Sequence, residues 1–118
     1  MHKLQNELRE LAKPEKIPIY KNFFKTGKGE YGEGDEFIGA TVPDSRKVAR
    51  ANTDISYDEL ASIIKSRIHE DRLCALIILV YKFEKATTEQ EKQRVVDFYL
   101  KYHSCGNNWD LVDVIAPK

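Results

Sequence analysis

Cysteine is scarce. The chain has two in 118 residues, Cys74 and Cys105, too few and too differently placed for a disulfide framework. Cys74 sits inside the most apolar stretch and reads as a small core residue; Cys105, beside Gly106, reads as a loop residue. Long apolar runs are missing too. The longest, Leu73–Tyr81, falls well short of the roughly 18–20 residues that a bilayer span requires. The opening Met1 to Ala12 alternates charge with leucine and has no apolar segment of the signal-peptide kind. The expectation is a cytoplasmic protein with no membrane partner. Metal-ligand spacing is absent: His2, His69 and His103 are scattered, and His103 with Cys105 is a lone pair without further ligands. No metal or cofactor is expected, and no serine or cysteine triad is visible. Charge of one sign is not in excess either. Lysine plus arginine and aspartate plus glutamate number 19 each, so the net charge is zero, a weak signature for a nucleic-acid binder.

What the chain does contain is helical periodicity. Leu4, Leu8 and Leu11 fall at i, i+4 and i+7 and give one stripe on an N-terminal helix. Pro14 suits a first helical turn and opens a segment through Ile17, Tyr20, Phe23 and Phe24, which Pro18 delays or kinks. Pro43 likewise suits the first turn of a helix through Val48 and Ala49. Ser56 with Glu59, and Thr88 with Glu91, have the reciprocal spacing of capping boxes. They predict helices over 56–66 and 88–103. Between them, 69–84 is apolar almost all round from Leu73 to Tyr81, as a central helix covered on several sides must be. A last helix starts at Asn107 or Asn108, either a good N-cap. No convincing strand pattern appears, although 37–42 can run extended.

The reading is therefore a single all-α domain over 1–118 with no significant sheet, its short loops suggesting stacked antiparallel helical pairs as in a solenoid. No exact internal repeat supports that stacking. Leu111, Val112, Val114 and Ile115 are apolar at the end of the chain. They predict either a complementing second half or self-association through the C-terminal helix.

Three features carry possible chemistry. The first is the glycine-rich stretch 27–35, with a formal G-x-G-x-x-G match at Gly27, Gly29 and Gly32. It follows a helix and opens none, so a chain-reversing linker explains it better than a phosphate cradle. The second is a basic cluster, Lys13, Lys16, Lys21, Lys25 and Lys28, opposed in sequence only by Glu15. Lys21, Lys25 and Lys28 share one helical stripe, which is either a solvated face or a phosphate track. The third is Asn108-Trp109-Asp110-Leu111-Val112-Asp113. With Asn108 as N-cap, Trp109 and Asp113 lie four residues apart on one helix face, and the helix dipole favours the ionised carboxylate. An indole beside an anion suits a cationic guest. The alternative is that Trp109 plugs the core and Asp113 stabilises a helix start.

Phe23 through Asp35, Val42-Pro43-Asp44-Ser45-Arg46-Lys47, Glu70 through Leu76 and Asn108 through Asp113 together resemble the AlkD-like DNA alkylation repair proteins, in matching order along essentially the whole chain. The resemblance implies a right-handed solenoid of HEAT-like helical pairs whose concave face holds duplex DNA. It implies a DNA glycosylase that hydrolyses the N-glycosidic bond of cationic purines such as N3-methyladenine and N7-methylguanine, with the lesion still stacked. Asp113 matches the catalytic carboxylate and Trp109 the aromatic residue beside the lesion; Tyr20 matches a tyrosine that faces DNA. Lys21, Lys25, Lys28, Arg46 and Lys47 are then the expected DNA-binding residues. Members of that family are about twice as long, and their second half supplies a further cleft aromatic and an arginine that have no counterpart here. The chain resembles the N-terminal half of such a protein. A non-catalytic DNA- or protein-binding scaffold, or an inactive shortened relative, is the alternative.

Overall fold

The computed structural model describes residues 2–19 and 36–102. Its regular elements there are helices α1 (Lys3–Leu11), α2 (Val42–Ala51), α3 (Tyr57–Ile63), α4 (His69–Lys85) and α5 (Glu89–Tyr102), with a 3-10 turn at Pro14–Lys16. Among the described residues there is no strand. The 37–42 stretch is irregular up to the start of α2, and Glu36 and Ile68 form one parallel bridge. No described helix is long and apolar enough to cross a membrane.

Local chemistry fixes the helix starts. The Thr41 hydroxyl accepts the Asp44 N–H at 3.2 Å, and Pro43 stands in the first turn of α2, where its missing N–H costs nothing. Ser56 and Thr88 cap as their spacing predicts, each accepting the N–H three residues on. The return bonds differ from a full capping box, because Glu59 and Glu91 take the cap hydroxyls. The reciprocal box forms instead at His2: its Nδ1 accepts the Leu4 N–H at 3.0 Å, and Gln5 Oε1 accepts the His2 N–H at 3.0 Å. Helix α3 stops at Ile63, short of the predicted residue 66. Ser66 is used by the next helix, its hydroxyl donating to Asp71 at 2.8 Å and accepting the Ile68 N–H at 3.0 Å.

Helix directions follow from side-chain contacts. Asn52 donates to Glu7 at 2.8 Å, and Lys13 lies 3.1 Å from Asp44; α1 and α2 therefore run antiparallel. The Cys74 thiol meets the Ser45 carbonyl at 3.7 Å, and Arg50 lies over Tyr81. Both separations advance together, so α2 and α4 lie side by side and run the same way. Tyr57 packs on Phe98 at 5.4 Å and Lys65 over Tyr102 at 5.3 Å, which sets α3 and α5 in parallel. Lys82 over Tyr57 turns α3 against α4. The outcome is a helical assembly in which α4 contacts α1, α2, α3 and α5.

Helix α4 is the centre. Every residue from His69 to Leu79 is buried, and Leu73, Leu76, Ile78 and their neighbours join Leu4, Leu8, Val48, Leu60, Ile64, Val95 and Phe98 in one core. Each such side chain removed from water contributes roughly 1.5–3 kcal/mol. The all-round apolar pattern is explained by this coverage, and Cys74 is a core residue as expected, at 0% exposure.

Two acids are buried with it. Glu70 accepts three backbone N–H groups, from Ile38 at 3.1 Å, Gly39 at 2.9 Å and Ala40 at 3.2 Å. Asp71 takes Arg9 at 3.1 and 3.2 Å, Gln5 at 2.9 Å and Ser66 at 2.8 Å. Both sit in the first turn of α4, where the dipole favours anions. They fasten the 36–41 segment and α1 to the central helix. Gly39 has φ 90°, and a Cβ there would collide with the Lys13 carbonyl, so only glycine fits this crossing.

Candidate nucleic-acid interface

Helix α2 divides into two faces by its own spacing. Ser45, Val48 and Ala49 point into the core, followed by Asn52, while Pro43, Arg46, Lys47 and Arg50 are exposed. Positions 43, 46, 47 and 50 form one i, i+3, i+4, i+7 row, so three cations share a stripe on the exposed face of α2. Arg46 and Lys47, both expected to contact DNA, are thus brought together and presented to solvent.

Arg50 joins them, although sequence reasoning passed over it. The signal was present: it lies four residues from Arg46 on the same row. Its guanidinium stands 5.9 Å from the centroid of the Tyr81 ring on α4, so the end of the basic stripe abuts the parallel neighbouring helix. Arg50 also stands in the last turn of α2, where a cation complements the dipole.

Lys13 requires a correction. In sequence it belongs to a basic run opposed only by Glu15; in the structure its ammonium pairs with Asp44 at 3.1 Å. The hydrogen bond from Lys13 is the main reason the Asp44 carboxyl is held below its ordinary range, helped by the Thr41 hydroxyl and the Lys47 charge against partial burial. Lys13 therefore fastens the start of α2. A partner 31 residues away is invisible to a count of neighbouring charges.

The remaining expected site residues, Tyr20, Lys21, Lys25, Lys28, Trp109 and Asp113, lie outside the described residues, as do the glycine-rich 27–35 stretch, Cys105 and the expected helix from Asn107 or Asn108. Among the described residues no group of three His, Cys, Asp or Glu side chains is arranged to hold a metal ion. His69 packs its ring on Phe37, with centroids 4.6 Å apart, and His2 caps α1.

Chemically, the exposed α2 stripe can bind a polyanion; it holds no group able to cleave a bond. The well-shielded carboxylates Glu70 and Asp71 are engaged by three and four donors respectively. Both are buried, at 1% and 0% exposure, so neither carboxylate is presented to a guest.

Over residues 4–118 the chain matches the family model described as DNA alkylation repair enzyme. No curated protein and no solved structure gives a match.

Proposed function

Because the chain belongs to the DNA alkylation repair enzyme family, we propose that it acts as a DNA glycosylase on duplex DNA carrying cationic alkylated purines such as N3-methyladenine and N7-methylguanine. Antiparallel helices in which α2 and α4 lie side by side in the same direction suit the beginning of a HEAT-like solenoid, with the exposed face of α2 on its DNA-facing side. The observation that carries this reading is the outward stripe of Arg46, Lys47 and Arg50 on α2. Exposed cations on one face neutralise backbone phosphates and fix the register of a duplex without reading its sequence. Tyr20, Lys21, Lys25 and Lys28 would extend the same contact.

Asp113 and Trp109 would supply the chemistry. A methylated purine already carries positive charge and leaves without a general acid. As the N-glycosidic bond opens, cationic character builds on the deoxyribose. A fixed carboxylate nearby stabilises that charge most where water is excluded, and Asp113 would also orient the attacking water. The Trp109 indole offers its π-face to the cationic base.

Incubating the protein, alone and complemented with the second half of a family member, with duplex containing N7-methylguanine and quantifying free base tests the reading. Release above the spontaneous rate is expected. Duplex binding without release would instead identify a non-catalytic scaffold, and neither binding nor release would contradict the reading altogether.

A further inference from the structure

Where the end of α4 meets the starts of α3 and α5, Asp54, Tyr57, Lys82, Lys85, Glu91 and Arg94 line a recess of about 300 Å³. Tyr57 is its aromatic wall. The Arg94 guanidinium stands 4.4 Å from the Tyr57 ring centroid and the Lys82 ammonium 5.0 Å from it. Two cations gathered on one ring, with Lys85 beside them, repel one another. Among the described residues none of the three makes an ion pair. Partial burial is the main cause that pushes the Lys82 ammonium below its ordinary range; the Arg94 and Lys85 charges push the same way, against Asp54. Glu91 accepts the Thr87 and Thr88 hydroxyls at 3.3 and 3.2 Å on one carboxylate oxygen and keeps its charge. With exposed Asp54 it opposes three cations, so the lining carries one positive charge in excess.

Cation–π contact holds Lys82 and Arg94 in place without neutralising them. We infer that this recess binds a phosphate oxyanion between Lys82 and Arg94, beside the Tyr57 ring. A phosphate accepts several charge-assisted hydrogen bonds from such donors, and the volume accommodates it. The same chemistry has two sources, a backbone phosphodiester of DNA or a free phosphate. The backbone is favoured by the contact of Arg50 with Tyr81, which brings the end of the basic stripe to the same end of α4 as Lys82. The recess then clamps the strand after it leaves α2. In that form the inference rests on the reading of the chain as a duplex binder.

Lys82→Gln and Arg94→Gln in the 118-residue protein, with folding checked by circular dichroism, separate the outcomes. Arg94 is exposed, so its substitution leaves the core intact. Lys92→Gln, an equal change of charge on α5 outside the recess lining, is the control. Affinity for an undamaged duplex should fall about three- to tenfold in each recess variant, and the salt dependence should flatten by about one counterion, with a smaller change for Lys92→Gln. A chemical-shift titration with inorganic phosphate forms the second arm. Shifts at Tyr57 and Lys82 that vanish in Arg94→Gln, with duplex affinity unchanged, would support the site with free phosphate as its occupant. Unchanged duplex binding together with no phosphate-induced shift overturns the inference. If the unaltered protein binds no duplex, the glycosylase reading fails, and the phosphate titration alone decides the recess.

Discussion

The backbone N–H of Gly39 donates to the Glu70 carboxylate at 2.9 Å, inside the protein and across 31 residues of sequence. Ile38 and Ala40 donate to the same carboxylate, so one acid organises the turn that delivers the chain to α2. Glu70→Ala would leave three N–H groups without their acceptor. The expected cost is about 3 kcal/mol, a fall in melting temperature of roughly 10–20 °C for a domain of this size. Glu70→Gln, which retains one carbonyl acceptor, should lie between. Thermal unfolding followed by circular dichroism measures both.

The Lys13–Asp44 pair gives a pH dependence of known sign. The folded-state pKa of Asp44 lies below the ordinary value of 3.8. Its stabilisation is therefore complete above the unfolded pKa and is lost as pH falls through the folded value. Both side chains are partly exposed, at 44% and 24%, which limits the contribution to below about 1 kcal/mol. Lys13→Gln should be slightly less stable than the parent at pH 6, and the two should converge near pH 2. Urea unfolding at the two pH values checks this.

Cys74 is buried, and desolvation is the chief cause that pushes its thiol up to about 12, with the Asp71 and Glu7 charges adding to it. Only the thiolate is a nucleophile. In the folded protein at pH 8, Cys74 should resist iodoacetamide, and it should become labelled in denaturant. Peptide mass mapping distinguishes it from Cys105.

The cationic row on α2 should act through long-range charge. Substituting Arg46, Lys47 or Arg50 by Gln should leave stability within about 0.5 kcal/mol and weaken binding to any duplex, whatever its sequence. Each change should flatten the salt dependence by about one. Fluorescence anisotropy across a salt series measures it; no change in any of the three would exclude this face as the DNA contact.

Much of the fold was legible because its signals are local. Pro43, Ser56 and Thr88 announce helix starts within four residues, and the run Leu73–Tyr81 announces a helix covered on several sides. What sequence hides is pairing across distance. Charge suggests solvent for Glu70 and Asp71, yet they are the most buried acids among the described residues because their donors come from Gln5, Arg9, residues 38–40 and Ser66. The end of α3 at Ile63 was equally unreadable, since Ser66 is recruited by the following helix. The site was legible in part. Arg46 and Lys47 stand on an exposed face as spacing implies, whereas the step from Arg50 to Tyr81 and the cations around Tyr57 arise only from helix packing.

Single-turnover excision of N7-methylguanine by the parent and by Asp113→Asn, at equal and saturating occupancy of the duplex, probes the charge at the heart of the proposed chemistry. The amide preserves shape and removes only the negative charge. Base release should drop by about a hundredfold or more while duplex affinity stays within about twofold of the parent. Release by Asp113→Asn at the parent rate would show that this carboxylate does not stabilise the opening sugar.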